Sequence, residues 1–493
     1  MDGWLSSGFA WISLLWLGGL GLLFLQHSRW KQRDLALGLG LVLVALGLFW
    51  NLSSGPVVAA SLDAAFLQDT YAMFVQAFVL AVTVAALLLA RHAGDAWPRG
   101  GEGLLLMSAA GACMMAMSVD LVALLAGLAA TWLPMVGLAA LRMDEHGREA
   151  ALKAIMVMLL GAALFAMGTG LLAARSGTTS FAGLRVFFTG LEWIGRDPLL
   201  VVAVGMVLVA SLLFAAVLPL HMGFTDVVQG LPAAGSLMIS GGGLAALLAV
   251  LARALLVGFG PLDESGPGYL SWISVLHAMG LVSLLGGHAM AIVQPKLKRM
   301  LASLASGQVG IVLLGLAAAG RLGENPAEQE RALAGVLVFL AVYAVNWAGV
   351  FLAVSAVCGP DGRDPGVRQL DGLAAQHPAL AAAIGLALLC MAGMPMTAGF
   401  FPRLVLLEVM IGAGWIGTAV MTALSLGLVM VMSLGLVAAM VMRPASTYGR
   451  LRPSWSLRIT ALLTSAAILV LGLWPAGILA WGLVATRGLL GLG

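Results

Sequence analysis

Apolar residues in this chain come in long blocks, and polar residues gather in short stretches between them. The blocks lie near 6–26, 35–56, 71–90, 104–118, 120–140, 152–174, 198–219, 232–257, 269–293, 301–319, 333–357, 378–413, 415–442 and 457–482. A bilayer core about 30 Å thick takes roughly 20 residues of helix to cross. The pattern therefore predicts an all-α polytopic membrane protein of about fourteen spans, with both ends on one side. Lys and Arg collect in cytoplasmic loops, and here seventeen of the 25 basic residues fall in the connections after odd-numbered spans. That bias predicts both termini outside, in the periplasm of a bacterial inner membrane.

Two blocks are interrupted. Span 7 runs into Leu218 to Ser236, LPLHMGFTDVVQGLPAAGS, with Pro219, His221, Asp226 and Pro232. Span 12 is interrupted at CMAGMPMTAGFF by Gly393, Pro395 and Gly399. Proline removes a backbone donor and clashes with the preceding turn, so both spans are expected to be unwound near Pro219 and Pro395. Irregular backbone at membrane depth is tolerated where it is buried in protein or lines a wet cavity. Paired breaks five spans apart predict an inverted repeat. The expected organisation is three N-terminal spans (1–103), a first repeat of spans 4–8 (104–257), a second of spans 9–13 (269–442) and a C-terminal span (457–493).

Composition removes the soluble alternatives. With 61% hydrophobic and 10% charged residues and a mean hydropathy of +1.04, the chain has too little polar surface to coat a globule of its size. The net charge of +3 decides little. Cys113, Cys358 and Cys390 fit no metal or disulfide spacing, and neither metal nor cofactor is expected in this chain. The first 34 residues lack the basic segment and cleavage site of a signal peptide and read as a first span. SGGG at Ser240 to Gly243 lacks the lysine and the preceding strand of a phosphate loop, and close helix packing accounts for it better.

The order of residues in the first break resembles P-F-H-x-W-x-P-D-x-x-x-G-A-P-T-A, a signature of the antiporter-like proton-translocating subunits of respiratory complex I and of related Mrp-type cation/proton antiporters. Pro219, His221, Asp226, Gln229, Gly230, Pro232 and Ala234 fall on it, with Gly223 and Thr225 as departures. Asp120 to Arg142, Lys298 to Gly310, Leu370 to Arg403 and Leu471 to Ile478 are similar to further family segments. The length suits the NADH-quinone oxidoreductase subunit N type. The resemblance implies a membrane-arm subunit that takes part in or supports proton translocation, coupled to NADH:quinone electron transfer by partner subunits. It implies no catalytic centre here, and it implies other membrane subunits and the lipid bilayer, not nucleic acid, as partners. The other reading is a transport-inactive or modified subunit of a membrane hydrogenase, an Mrp-type antiporter or an inorganic-carbon or solute uptake complex.

The family's proton relay pairs a Glu in span 5 with a Lys in span 7 and passes protons through a Lys in span 8 to a charged residue in span 12. Those positions correspond here to Ala129, Phe214, Leu244 and Arg403, and the span 10 His to Gln308. Only Arg403 keeps a charge, and arginine holds its proton at any physiological pH. The first half is therefore expected to be dry and without a relay. Any remaining proton path is expected in the second half, through Lys298, Gln308, His288 and Arg403, and His221 and Glu408 are further candidates. His277 and His288 lie about three turns apart on one helix. Arg253 is expected to snorkel from the outer end of span 8, and Glu102, Asp144, Glu145, Glu324, Glu328 and Glu330 to be solvated loop charges.

Overall fold

A computed structural model describes residues 9–28, 33–53, 59–61, 65–142, 145–191, 194–263, 271–357, 365–444 and 453–490. The extreme ends, Asp144 and Cys358 lie outside these residues. The apolar blocks fold as helices: α1 (Phe9–Ser28), α2 (Arg33–Ser53), α3 (Thr70–His92), α4 (Gly101–Ala116), α5 (Leu121–Ala140) and α6 (Glu145–Ser176). A short α7 (Phe181–Thr189) precedes α8 (Pro198–Phe214), α9 (Met222–Gly230) and α10 (Ala233–Gly258). The second half holds α11 (Trp272–Val293), α12 (Leu297–Arg321), α13 (Pro326–Val357), a one-turn α14 (Leu373–Gln376), α15 (Pro378–Ala392), α16 (Phe400–Gly412) and α17 (Ile416–Met442). The chain closes with α18 (Trp455–Leu473) and α19 (Ala476–Leu490). Among the described residues nine helices are long and apolar enough to cross a membrane, and six shorter apolar helices accompany them.

Several helices start where the sequence supplies a side-chain acceptor for exposed backbone donors. Asp69 accepts from Ala72 N, Asp120 from Val122 N and Ser271 from Ile273 N, each offsetting one of the unpaired N–H groups of a first turn. Asp197 does the same for α8, with Pro198 in the first helical position where no donor is needed. A two-stranded antiparallel hairpin, β1 (Ala59–Ser61) with β2 (Phe66–Gln68), leads into α3.

Both breaks are present. The backbone leaves helix between Phe214 and Met222, and again between Ala392 and Phe400. Each break carries one residue other than glycine at positive φ, Ala216 at 58° and Met396 at 70°. The broken elements, α8 with α9 and α15 with α16, are the fourth helices of two five-helix sets. Since five is odd, the sets run in opposite senses, which is the inverted repeat.

Packing explains the small residues. Helices α11 and α12 meet along Gly280, Gly287, Gly307 and Gly310; a β-carbon on Gly287 would lie 2.4 Å from Gly307 N, and one on Gly310 equally close to Leu284 N. Such contacts let backbones approach where hydrophobic burial gives no preference for protein over lipid. In α10 the backbone widens into π-helix over Met238–Gly243 and again over Ala254–Gly258. The glycines of the first stretch pack on Trp347 of α13 and Thr131 of α5.

Four expectations need correcting. The last apolar block is two helices, because Trp474 leaves helical geometry before Pro475. Arg253 does not snorkel: it is 1% exposed, and its Nη2 donates to both carboxylate oxygens of Asp69 at 2.6 and 2.7 Å. Glu102 is buried in the first turn of α4, not solvated. Glu330 is partly covered and accepts from Arg487 Nε at 2.7 Å.

Candidate functional site

Ala129, Phe214 and Leu244, the positions expected from the resemblance to match a first-half relay, are apolar side chains. Phe214, 1% exposed, lies edge-on to Trp132 of α5 with ring centres 5.5 Å apart, and Trp132 lies edge-on to Phe224 of α9 in turn. On its other side the Phe214 ring rests on Gly161 of α6, where a β-carbon would come within 2.4 Å. Leu244 is buried in α10, and Ala129 is half-buried in α5. An apolar space of this kind stays dry.

The second half is polar at depth. Arg403 of α16 reaches back across the break to carbonyls on both of its sides, at the end of α15 and at the start of α16. Its Nη1 donates to Gly399 O at 2.7 Å and Cys390 O at 3.4 Å, and its Nη2 to Met391 O at 2.6 Å. The remaining Nη2 bond, 2.8 Å long, goes to Gln308 Oε1 of α12. Gln308 Nε2 meets His288 Nε2 of α11 at 3.1 Å, and His288 Nδ1 pairs with Ser425 Oγ of α17 at 2.7 Å. Arg403, Gln308, His288 and Ser425 thus form one buried string across four helices. Gly307 makes room for it, since a β-carbon there would run into the His288 ring. Gly399 is required for the same reason, because its β-carbon would overlap Cys390 O.

Lys298 stands apart from this string. It is fully buried, and its Nζ donates to Leu231 O at 2.6 Å and Gln229 O at 3.3 Å, at the carbonyl end of α9. Arg142 Nη1 adds a bond to Gly230 O at 2.8 Å. Cations are favoured at helix C-termini, where unpaired carbonyls carry partial negative charge. Lys298 and Arg142 thus close the far end of α9, at its junction with α10, whereas Arg403 closes the helix end that borders the second break.

The remaining candidates separate. His221 is buried beside the first break, against the Pro219 backbone, with no partner for Nδ1. Glu408 does not join Arg403; it is largely exposed and accepts from Arg331 Nη2 at 2.8 Å. His277 bonds Thr418 Oγ1 at 2.8 Å and stacks on Trp415, removed from the His288 string. Pro219 and Pro395 are exposed at their breaks, Pro232 is half-buried, and Gly393 takes φ +81°. Asp226 of the signature binds Lys153 Nζ of α6 at 2.8 Å and Arg299 Nη2 of α12 at 3.3 Å, latching α9 to both neighbours. The Arg253–Asp69 pair was missed from the sequence because its members are 184 positions apart. Among the described residues no group of three His, Cys, Asp or Glu side chains could hold a metal ion.

Comparison with known proteins places this geometry. The family described as NADH:quinone oxidoreductase/Mrp antiporter, transmembrane, matches residues 118–433. NADH-quinone oxidoreductase subunit N 1 of Sorangium cellulosum is 30% identical over 487 residues, covering 94% of this chain and 93% of that protein. Subunit N of Rhodospirillum rubrum is also 30% identical, over 83% and 82% of the two chains. Among solved structures, a chain of respiratory complex I from Thermus thermophilus superposes with a TM-score of 0.78 at 25% identity, over 95% of this chain and 98% of that one. A chain of the Mrp complex from a Dietzia species gives 0.84 at 20% identity, over 98% and 97%.

Proposed function

Because the chain belongs to the NADH:quinone oxidoreductase/Mrp antiporter transmembrane family, we propose that it is a membrane-arm subunit of a complex I-like assembly. In this reading it supports proton translocation as a scaffold and coupling element and does not carry the family's proton relay. The observation behind it is what the buried basic side chains do. Arg403 donates to backbone carbonyls at the second break and Lys298 to carbonyls at the α9–α10 junction, while Phe214 and Leu244, at the positions that the resemblance assigns to the first-half relay, are buried apolar side chains. A group that carries protons must release them. An arginine cannot at physiological pH, and Lys298 is held against two helix-end carbonyls. Ionisable residues are costly at membrane depth and are kept there for a purpose, which here is to fix the second break and the α9–α10 junction.

The proposal places the chain in a bacterial inner membrane, both ends periplasmic, with repeats at 104–257 and 269–442 and with other membrane subunits of the assembly as partners. Electron transfer belongs to those partners. A second reading is favoured by the lost relay together with the likeness to the Mrp chain: a transport-inactive subunit of another ion-coupled complex. Copurification from native membranes, with mass spectrometric identification of the bound subunits, separates the two. NADH-oxidising and quinone-reducing partners support the first reading, and their absence beside a different soluble partner overturns it.

A further inference from the structure

Arginine has five N–H donors, and four of those on Arg403 are used on Gly399, Cys390, Met391 and Gln308. The fifth, on Nε, has no partner. On α13, Asn346 Oδ1 is likewise buried without a donor. Both residues are more than nine-tenths buried, Arg403 at 7% and Asn346 at 4% exposure. Both line one small cavity, whose wall includes Gln308, Phe339, Tyr343 and Cys390. Its volume is about 10 Å³, close to what one water needs and too little for a chain of them.

We propose that this cavity binds one water molecule, which accepts from Arg403 Nε–H and donates to Asn346 Oδ1. A buried donor or acceptor left unpaired is costly, and one polar molecule satisfies both. The inference deepens the scaffold reading, on which its functional consequence rests. The bound water joins the α16 arginine to α13. There Tyr343, three residues before Asn346, and Trp347, one after it, reach the first half: Tyr343 Oη donates to Ser240 O and Trp347 Nε1 to Ser240 Oγ, both at 2.7 Å. Ser240 sits in the π-helical stretch of α10. One water is thus the polar joint between the second-half string and the widened helix of the first half.

The test is made on the full chain in lipid nanodiscs. Infrared difference spectra between H₂¹⁶O and H₂¹⁸O report internal water directly, whether or not protons are pumped. An isotope-sensitive O–H band is expected in the wild type, retained in Trp347→Phe and lost in Asn346→Leu and in the cavity-filling Val342→Phe. If the two latter variants fold poorly, a map of the wild-type chain that resolves ordered water decides the matter, with a density peak bonded to Arg403 Nε and Asn346 Oδ1 expected. A band that survives both variants, a direct Arg403–Asn346 contact, or a chloride ion in the cavity would overturn the proposal. The scaffold reading fails on separate evidence, namely a change in proton stoichiometry.

Discussion

Arg403 makes four hydrogen bonds to neutral oxygens and meets no carboxylate among the described residues. Its charge is balanced instead by the carbonyl end of α15, so its removal is felt first as stability. Replacing it by Met should leave Met391 O and Gln308 Oε1 without a donor, lowering unfolding stability by about 3 kcal/mol, whereas Arg403→Lys should recover part of this because a lysine still reaches one or two carbonyls. Denaturation in mild detergent checks both. The Arg253–Asp69 pair allows a sharper comparison. Removing either partner alone, as Arg253→Met or Asp69→Leu, leaves a buried charge and should cost about 3–5 kcal/mol. The double variant should recover most of that and fall short by about 1 kcal/mol, the value of the helix cap that Asp69 also provides. If the double variant is no more stable than the worse single one, the pair is not the coupled unit described. Neither arrangement was fully legible in the sequence. The similarity of Leu370 to Arg403 to a family segment marks where Arg403 sits, but nothing local announces that its donors turn back on its own broken helix. Arg253 lies near a span end, where snorkelling is the usual outcome, and its partner is far along the chain.

At the level of elements, the apolar blocks and the two Gly/Pro interruptions were readable, because block length and proline chemistry act locally. The breaks fall where the prolines stand. The block at 457–482 was read as one helix although it contains Pro475, and the structure divides it there. The π-helical widenings of α10 left no periodic signal, since a run of apolar and glycine residues fits either winding. The second break depends on close approach, which gives a direct check. A β-carbon at Gly399 would overlap Cys390 O and crowd Arg403 Nη1. Gly399→Ala should therefore displace Arg403 from its carbonyls, with a stability loss comparable to that of Arg403→Met. The same change at Gly412, where a β-carbon meets nothing, should be close to neutral. Equal effects at both glycines would mean that the close contact is not what the break requires.

For the molecule as a whole, the resemblance assigns relay positions, and packing shows what stands at or near them: an aromatic cluster at Phe214 in one half and a string of hydrogen-bonded polar groups in the other. The sequence could say that the lysines were missing. It could not say that Lys298 and Arg403, two of the buried basic residues, are both tied to helix ends, because that depends on the fold. The central claim is that this chain supports translocation without relaying protons itself. Its most direct test is the proton-to-electron ratio of the purified assembly in proteoliposomes, with the wild-type chain and with Gln308→Leu, which severs the His288–Arg403 link while leaving both residues in place. The account expects the same ratio for both, with some loss of thermal stability in the variant. A ratio that falls by a whole proton in an intact, electron-transferring assembly would contradict it and show that protons pass through the second half.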